Sequence, residues 1–144
     1  TVFSMSVDIH TTYGNSMYPG DYIDLYVRMN SSDNRIIFGR LIESIEIRDV
    51  RDNQGVSVFL TSDANTPAEL LFAVPDDLFW LLNVATEISG LELVPVPRNA
   101  SYTSNPGETQ VSSEYLRQLI TNYAQQIPDA GTGTSTNTGT TTTE

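Results

Sequence analysis

Carboxylates are the side chains of this 144-residue chain with the most chemical potential, and one pair of them has a suggestive spacing. Asp21 and Asp24 lie three positions apart within residues 18–29, YPGDYIDLYVRM. A glycoside hydrolase needs two carboxylates on one face, about 5–10 Å apart. Residues three apart on a strand point to opposite faces. The spacing therefore predicts a turn aspartate and an exposed strand aspartate, not an acid pair.

A second acidic group suggests calcium, because hard oxygen ligands cluster in acidic loops. Asp49, Asp52 and Asn53 precede Gly55. Their spacing misses the EF-hand pattern, and a hairpin turn accounts for it better. We therefore predict no metal site here.

Nucleophilic catalysis has little support in the sequence. The chain has no Cys, which excludes thiolate nucleophiles, disulfides and cysteine metal sites. His10 is the sole histidine, so a Ser-His-Asp triad would depend on it alone, and no nucleophile elbow is present. We predict a protein that is not an enzyme and that uses no cofactor.

Aromatic side chains give the remaining candidate site. Tyr22 and Tyr26 share the polar face of one predicted strand, and Tyr13 and Tyr18 lie close to them in sequence. Aromatic planes stack on sugars or contact proteins, although an ordinary exposed strand face explains them equally well. Trp80 is predicted to lie in the core.

The charge balance narrows the class of partner. The net charge is −11, from 18 acidic residues against seven basic ones, all Arg. This balance argues against nucleic acid and against an anionic membrane surface. No apolar run reaches the roughly 18 residues of a membrane helix. Because the chain opens with Thr1, we expect a fragment from which any targeting segment has been removed.

The elements that position these residues are mainly strands. Alternation after the Pro19-Gly20 turn predicts a strand with one buried face over residues 22–29. Hairpin-length turns join it to further strands, with a bulge or kink at Gly39 and a strand at 56–60. A helix from Pro75 to Gly90 follows residues 69–74, which with 91–96 would allow a right-handed crossover between parallel strands. The predicted fold is α+β, a mostly antiparallel sheet or small barrel of six or seven strands with one packed helix.

The C-terminal third is predicted to hold a linker over 99–111, an amphipathic helix over 112–127 and a disordered tail over 128–144. Residues 1–98 form the β-rich domain. The apolar stripe of the helix must bury against its own sheet, a second copy or a partner protein. We favour a partner, because the linker gives the helix reach. The stripe contains the following residues: Leu116, Leu119, Ile120, Tyr123 and Ile127.

The ordered motifs of residues 1–98 resemble the Flp/Tad pilus assembly proteins called CpaB or RcpC. A valine-aspartate strand end and the PGD-x-[VI]-D-[VL] element of that family are met by residues 6–8 and 19–25. Residues 41–50 and 72–85 are similar to its next strand and to its strand-helix segment, and 90–98 to its closing G-x-l-x-l-x-x-R strand. Tyr18 and Val74 depart from the pattern, since the family usually has Arg and Thr there.

The resemblance implies a non-enzymatic scaffold component of a pilus or related secretion machine. It implies an extracytoplasmic position, anchoring in the cytoplasmic membrane by a segment absent here, and part of a SAF (antifreeze-like) region. The expected partners are other machine proteins or a second copy. The alternative is a module that binds cell-wall carbohydrate, peptidoglycan above all. The family brings no catalytic residues to carry over.

Overall fold

The computed structural model describes residues 1–60, 65–98 and 106–124. Six strands and two helices occur within these ranges. The elements in chain order are β1 Val2–Ser6, β2 Tyr22–Asn30, β3 Ile36–Arg51, β4 Glu69–Ala73, α1 Asp76–Glu87, β5 Leu91–Pro97, β6 Gln110–Val111 and α2 Glu114–Thr121.

The strands form one open sheet in the order β1-β4-β3-β2-β5, and β6 pairs with β3. Every pairing is antiparallel. The predicted α+β fold with a mostly antiparallel sheet is confirmed, in its open form and not as a closed barrel. The predicted parallel crossover is wrong, because β5 pairs beside β2 and runs opposite to β4.

Strand β2 lies near the centre of the sheet, with β3 on one side and β5 on the other. Its predicted alternation is confirmed for Ile23, Leu25 and Val27, which are fully buried. Strands that are flanked on both sides and buried on one face hold their register firmly, because a one-residue slip would expose the whole apolar set. The rest of the molecule is therefore positioned relative to β2.

Strand β3 reaches 16 residues because it pairs with β2 from Ile36 to Glu46 and with β4 from Glu46 to Arg51. It also contains two extra residues opposite β2. The pairing shifts between Ile23 and Leu25 and again between Leu25 and Tyr26, and Ser44 has a φ of 60°. A bulge of this kind bends a strand and leaves backbone groups unpaired in the ladder. One edge of the bent β3 strand pairs with both β4 and β6.

The bulge predicted at Gly39 is wrong in position. Gly39 pairs with Val27 in regular register. A Cβ atom at Gly39 would lie 3.2 Å from the Leu116 Cδ1 atom. Glycine therefore allows α2 to approach β3 closely, and the bulges lie between Arg40 and Ile45.

Residues 56–60 do not form the predicted strand. A single bridge joins Arg51 to Ser57, beyond a turn that Asp52 closes. The Asp52 carboxylate accepts hydrogen bonds from the Gln54 and Val56 N–H groups at 2.9 and 3.0 Å. The side chain thus satisfies the backbone groups that a strand ladder would otherwise pair.

Helix α1 begins after Pro75, as the sequence predicts, with two aspartates in its first turn. It buries one apolar stripe against the sheet. The buried residues of α1 are Leu78, Leu81, Leu82 and Ala85. Gly90, at a φ of 79°, carries the chain away from the helix into β5. In the described part of the chain, no helix is long and apolar enough to cross a membrane.

Helix α2 folds back on α1 and β3, so the expectation that its stripe docks on a partner is corrected. Leu116 and Ile120 are buried in the common core, and the Ser113 hydroxyl caps the helix by accepting the Leu116 N–H at 3.3 Å. The structure thus places Gln110 and Val111, the last residues of the predicted linker, in β6, and the helix on the domain's own sheet. Residues 128–144, predicted to be disordered, and Ile127 lie outside the described residues.

Candidate functional site

Asp24 is a buried polar side chain of β2 with several bonding partners. It is only 8% exposed. Its carboxylate accepts hydrogen bonds from the Ser44 N–H at 2.9 Å, the Arg98 Nε at 2.8 Å and the Arg40 Nη1 at 3.3 Å. The prediction of an exposed strand aspartate is therefore wrong. The reason is the bulge in β3, which turns a free N–H toward Asp24.

Arg98 extends this cluster to the C-terminal segment. Its guanidinium donates to the Pro106 carbonyl at 2.6 Å and to the Glu43 carboxylate at 3.3 Å. The Thr109 hydroxyl donates to the Ser44 carbonyl at 2.6 Å. We call Asp24, Arg40, Glu43, Ser44 and Arg98 the polar hub. The bonds to Pro106 and Thr109 fasten residues 106–111 to the sheet. The charges of the hub are paired with one another, so they offer little to a substrate.

Asp21 takes no part in the polar hub. Its carboxylate accepts the Tyr18 N–H at 3.2 Å and so closes the turn before β2. The Gly20 N–H donates to the Ile47 carbonyl, and the Ile47 N–H donates back to the Asp21 carbonyl, at 2.8 and 2.9 Å. Asp21 and Asp24 therefore have separate structural roles and do not converge on one site.

The acidic loop considered for calcium is occupied by internal bonds. The Asp49 carboxylate accepts the Val50 N–H and the Arg51 Nε, both at 2.9 Å. Burial raises the pKa of Asp49, but hydrogen bonds from Ser57, Arg51 and Val50 outweigh it and leave the pKa below its ordinary value. No group of three or more His, Asp or Glu suited to a metal occurs among residues 1–60, 65–98 and 106–124.

His10 lies in a turn organised by Asp8. The Asp8 carboxylate accepts the His10 and Thr11 N–H groups, both at 2.8 Å. The bond from the Thr11 N–H is the main cause that lowers the pKa of Asp8. This arrangement accounts for Asp8 and His10 as parts of a local turn.

The tyrosines predicted as a contact surface lie on the sheet face opposite the helices. Tyr22 and Tyr26 are both half-buried. The Tyr26 ring stacks on the exposed Phe38 ring, with centroids 5.3 Å apart and planes at 19°. One face of the Tyr26 ring is thus already covered, which leaves less of it for a sugar or a partner.

A different aromatic site lies between α1 and the end of α2. We call it the Trp80–Tyr123 groove, a cleft of about 700 Å³. Trp80 is 37% exposed and Tyr123 is 59% exposed. The prediction that Trp80 lies in the core is wrong. The lining residues are Trp80, Asn83, Val84, Glu87, Ile88, Ser89, Tyr123 and Ala124.

The spacing of the groove residues could have been found in the sequence. Trp80, Val84, Glu87 and Ile88 lie at positions i, i+4, i+7 and i+8, a second stripe beside the buried one of α1. A stripe that includes Glu87 is not an ordinary core stripe. Of the helix residues predicted for interaction, only Tyr123 lines the groove, whereas Leu119 is half-buried beside the core.

Three comparisons of the chain with known proteins identify no relative. No family model, no curated protein and no solved structure matches the chain.

Proposed function

We propose that the chain is a non-enzymatic, extracytoplasmic assembly domain of a Flp/Tad-type pilus or a related secretion machine. The full-length protein would be anchored in the cytoplasmic membrane by a segment outside this sequence. Its partners are other proteins of the machine. The resemblance of residues 1–98 to the pilus assembly family motivates the proposal.

One structural contact joins two of the positions that carry the resemblance. Asp24 belongs to the PGD-x-[VI]-D-[VL] element and Arg98 ends the closing strand pattern. These two charged motif positions, 74 residues apart, form an ion pair at 2.8 Å. Each of these two residues stabilises the other, because a buried carboxylate and a buried guanidinium both cost free energy when left unpaired.

Four of the acidic residues have structural partners within the fold. Asp24 and Glu43 hold the polar hub, and Asp49 holds its own turn. Asp21 closes the turn before β2. A pair of free carboxylates facing one cleft, which a hydrolase of sugars requires, is not what these contacts provide.

Cross-linking in the native host tests the proposal. A photoreactive residue replaces Tyr123 or Phe38 in the full-length protein, and Asp33, in the exposed loop between β2 and β3, is the control position. We expect covalent products with pilin or other extracytoplasmic pilus-machine components from Tyr123 or Phe38 but not from Asp33. Reproducible products with unrelated proteins alone would contradict the assignment.

Binding to cell-wall carbohydrate is a second candidate, because exposed Trp80 and Tyr123 rings line one groove. Aromatic faces stack on sugar rings. A pull-down on purified peptidoglycan tests it, with an unrelated acidic domain as control. Retention above that control, lost in Trp80→Ala, supports this candidate; equal retention removes it.

A further inference from the structure

The Trp80–Tyr123 groove has the size and lining of a specific binding site. Its volume of about 700 Å³ falls within the range of about 300–1,000 Å³ that is common for ligand pockets. Val84 and Ile88 supply aliphatic surface, and Asn83 and Ser89 supply polar groups. Exposed aromatic side chains in such a setting are typical anchors of protein interfaces.

The electrostatic potential of the groove favours one sign of charge on the ligand. Glu87 lines the groove, is exposed and makes no ion pair within residues 1–60, 65–98 and 106–124. It is also the last residue of α1, whose final turn carries no basic residue. The C-terminal end of a helix is itself negative, so Glu87 and the helix dipole both favour a cation there.

Aromatic rings strengthen that preference. The faces of Trp and Tyr attract ammonium and guanidinium groups through the ring quadrupole. Trp80 and Tyr123 line the same cleft as Glu87. A Lys or Arg side chain would place its aliphatic stem along Val84 and Ile88 and its charged head near the carboxylate.

Charge also discriminates among possible occupants. The residues after Ala124 contain no basic side chain, and they include Asp129 and Glu144. A second copy contains seven Arg residues, but its net charge of −11 opposes its approach through like-charge repulsion. A neutral sugar would leave the negative potential at Glu87 without a counter-charge. The ligand that complements the groove is a basic segment of another protein.

We propose that the Trp80–Tyr123 groove binds a partner-protein segment in which a Lys or Arg side chain is flanked by apolar residues. This inference rests on the proposed function only in taking the partner to be a protein. It adds the chemistry of the segment that is recognised and the side chains that recognise it.

Selection from a random dodecapeptide display library on the full chain tests the inference. We expect enrichment of peptides with Lys or Arg beside apolar residues. Trp80 is the only tryptophan, so its emission should shift when the selected peptide is added. Replacing the basic residue of that peptide with norleucine should weaken binding at least about threefold.

Matched variants locate the binding. Glu87→Gln should weaken labelled-peptide binding by about threefold or more, and Tyr123→Ala by a similar factor. Glu92→Gln removes the same charge from the exposed sheet face, and Tyr115→Ala removes an exposed aromatic ring of α2 outside the groove. These two controls should bind as wild type does. Thermal unfolding of each variant checks that the fold is retained.

Several outcomes would overturn the inference. They are no enriched peptide, enrichment without basic residues, or equal binding by Glu87→Gln and Glu92→Gln. A Trp80 emission that shifts on removal of residues 125–144 would assign the groove to the chain's own C-terminal segment instead. Concentration-dependent dimerisation lost in Glu87→Gln would assign it to a second copy, and Trp80-dependent retention on peptidoglycan to a sugar.

The inference and the proposed function fail separately. If peptides bind as described but cross-linking in the host yields no pilus component, the inference about the groove is retained and the proposed pilus function is rejected. If pilus components cross-link equally to wild type and Glu87→Gln while no basic peptide binds, the proposed function is retained and the inference about the groove is rejected.

Discussion

The polar hub and the Trp80–Tyr123 groove both contain carboxylates, but the two regions treat them in opposite ways. In the hub, Asp24 accepts three hydrogen bonds and pairs with two arginines. In the groove, Glu87 lies exposed at the negative end of a helix with no ion pair among the described residues. Asp24 therefore has a structural role in the fold, whereas the contacts of the fold give Glu87 no such role.

This difference separates structural charges from functional ones. A charge that stabilises the fold should cost stability when it is removed. A charge placed against the helix dipole should raise stability when it is removed, because it opposes the fold slightly. Binding sites often carry such small costs, since their side chains are placed for a ligand. Mutations in the two regions should therefore differ in sign as well as in size.

The largest effect is expected in the hub. Asp24→Ala should lower the free energy of unfolding by about 4 kcal/mol, because Arg98 and the Ser44 N–H lose their buried acceptor. Urea unfolding measures it. Asp33→Ala, which breaks the exposed pair with Arg35, is the control and should cost less than about 0.5 kcal/mol. Equal losses for the two variants would refute the hub's structural role.

The next effect tests whether α2 belongs to the same folded unit. Ile120→Ala should cost about 3 kcal/mol, because Ile120 is fully buried and its removal leaves a cavity. Tyr115→Ala, on the exposed side of the same helix, should change stability by less than about 0.5 kcal/mol. Urea unfolding measures both variants. A loss below about 1 kcal/mol for Ile120→Ala would restore the idea of an independent interaction arm.

Local patterns made much of the fold predictable. Alternation along β2 and the helical period of α1 are properties of short windows, and both elements were predicted correctly. The apolar stripe of α2 was visible too, but its destination was not. That destination depends on Gly39, which leaves room for Leu116 from a residue far away in sequence.

The candidate sites were harder to predict because they depend on distant partners. The burial of Asp24 requires a bulge at Ser44 and a guanidinium 74 residues away. Alternation alone assigned Asp24 to solvent. The helical spacing predicts Trp80 in the core because it widens the apolar stripe of α1. Only the position of the end of α2, which brings Tyr123 beside Trp80, shows that a cleft remains.

A smaller effect distinguishes a structural acid by its pH dependence. Asp49→Asn should lower the free energy of unfolding by about 1 kcal/mol at pH 7. The pKa of Asp49 is lowered in the folded state, so its contribution is complete above the ordinary value of 3.8 and is lost as the pH falls through the folded pKa. Urea titrations at pH 7, 5 and 3 should show the wild-type advantage shrinking only at the lowest pH. An advantage that grows on acidification would have the wrong sign.

The smallest effect is the sharpest, because it predicts opposite signs for one charge change at the two ends of α1. Asp77→Asn removes a carboxylate from the first turn and should cost about 0.5 kcal/mol. Glu87→Gln removes one from the last turn and should raise stability by about 0.3–0.5 kcal/mol, while weakening the binding of a basic peptide. Thermal unfolding at low ionic strength measures both, since salt screens the dipole. If Glu87→Gln instead lost stability as Asp24→Ala does, Glu87 would be a structural charge and the contrast between hub and groove would disappear.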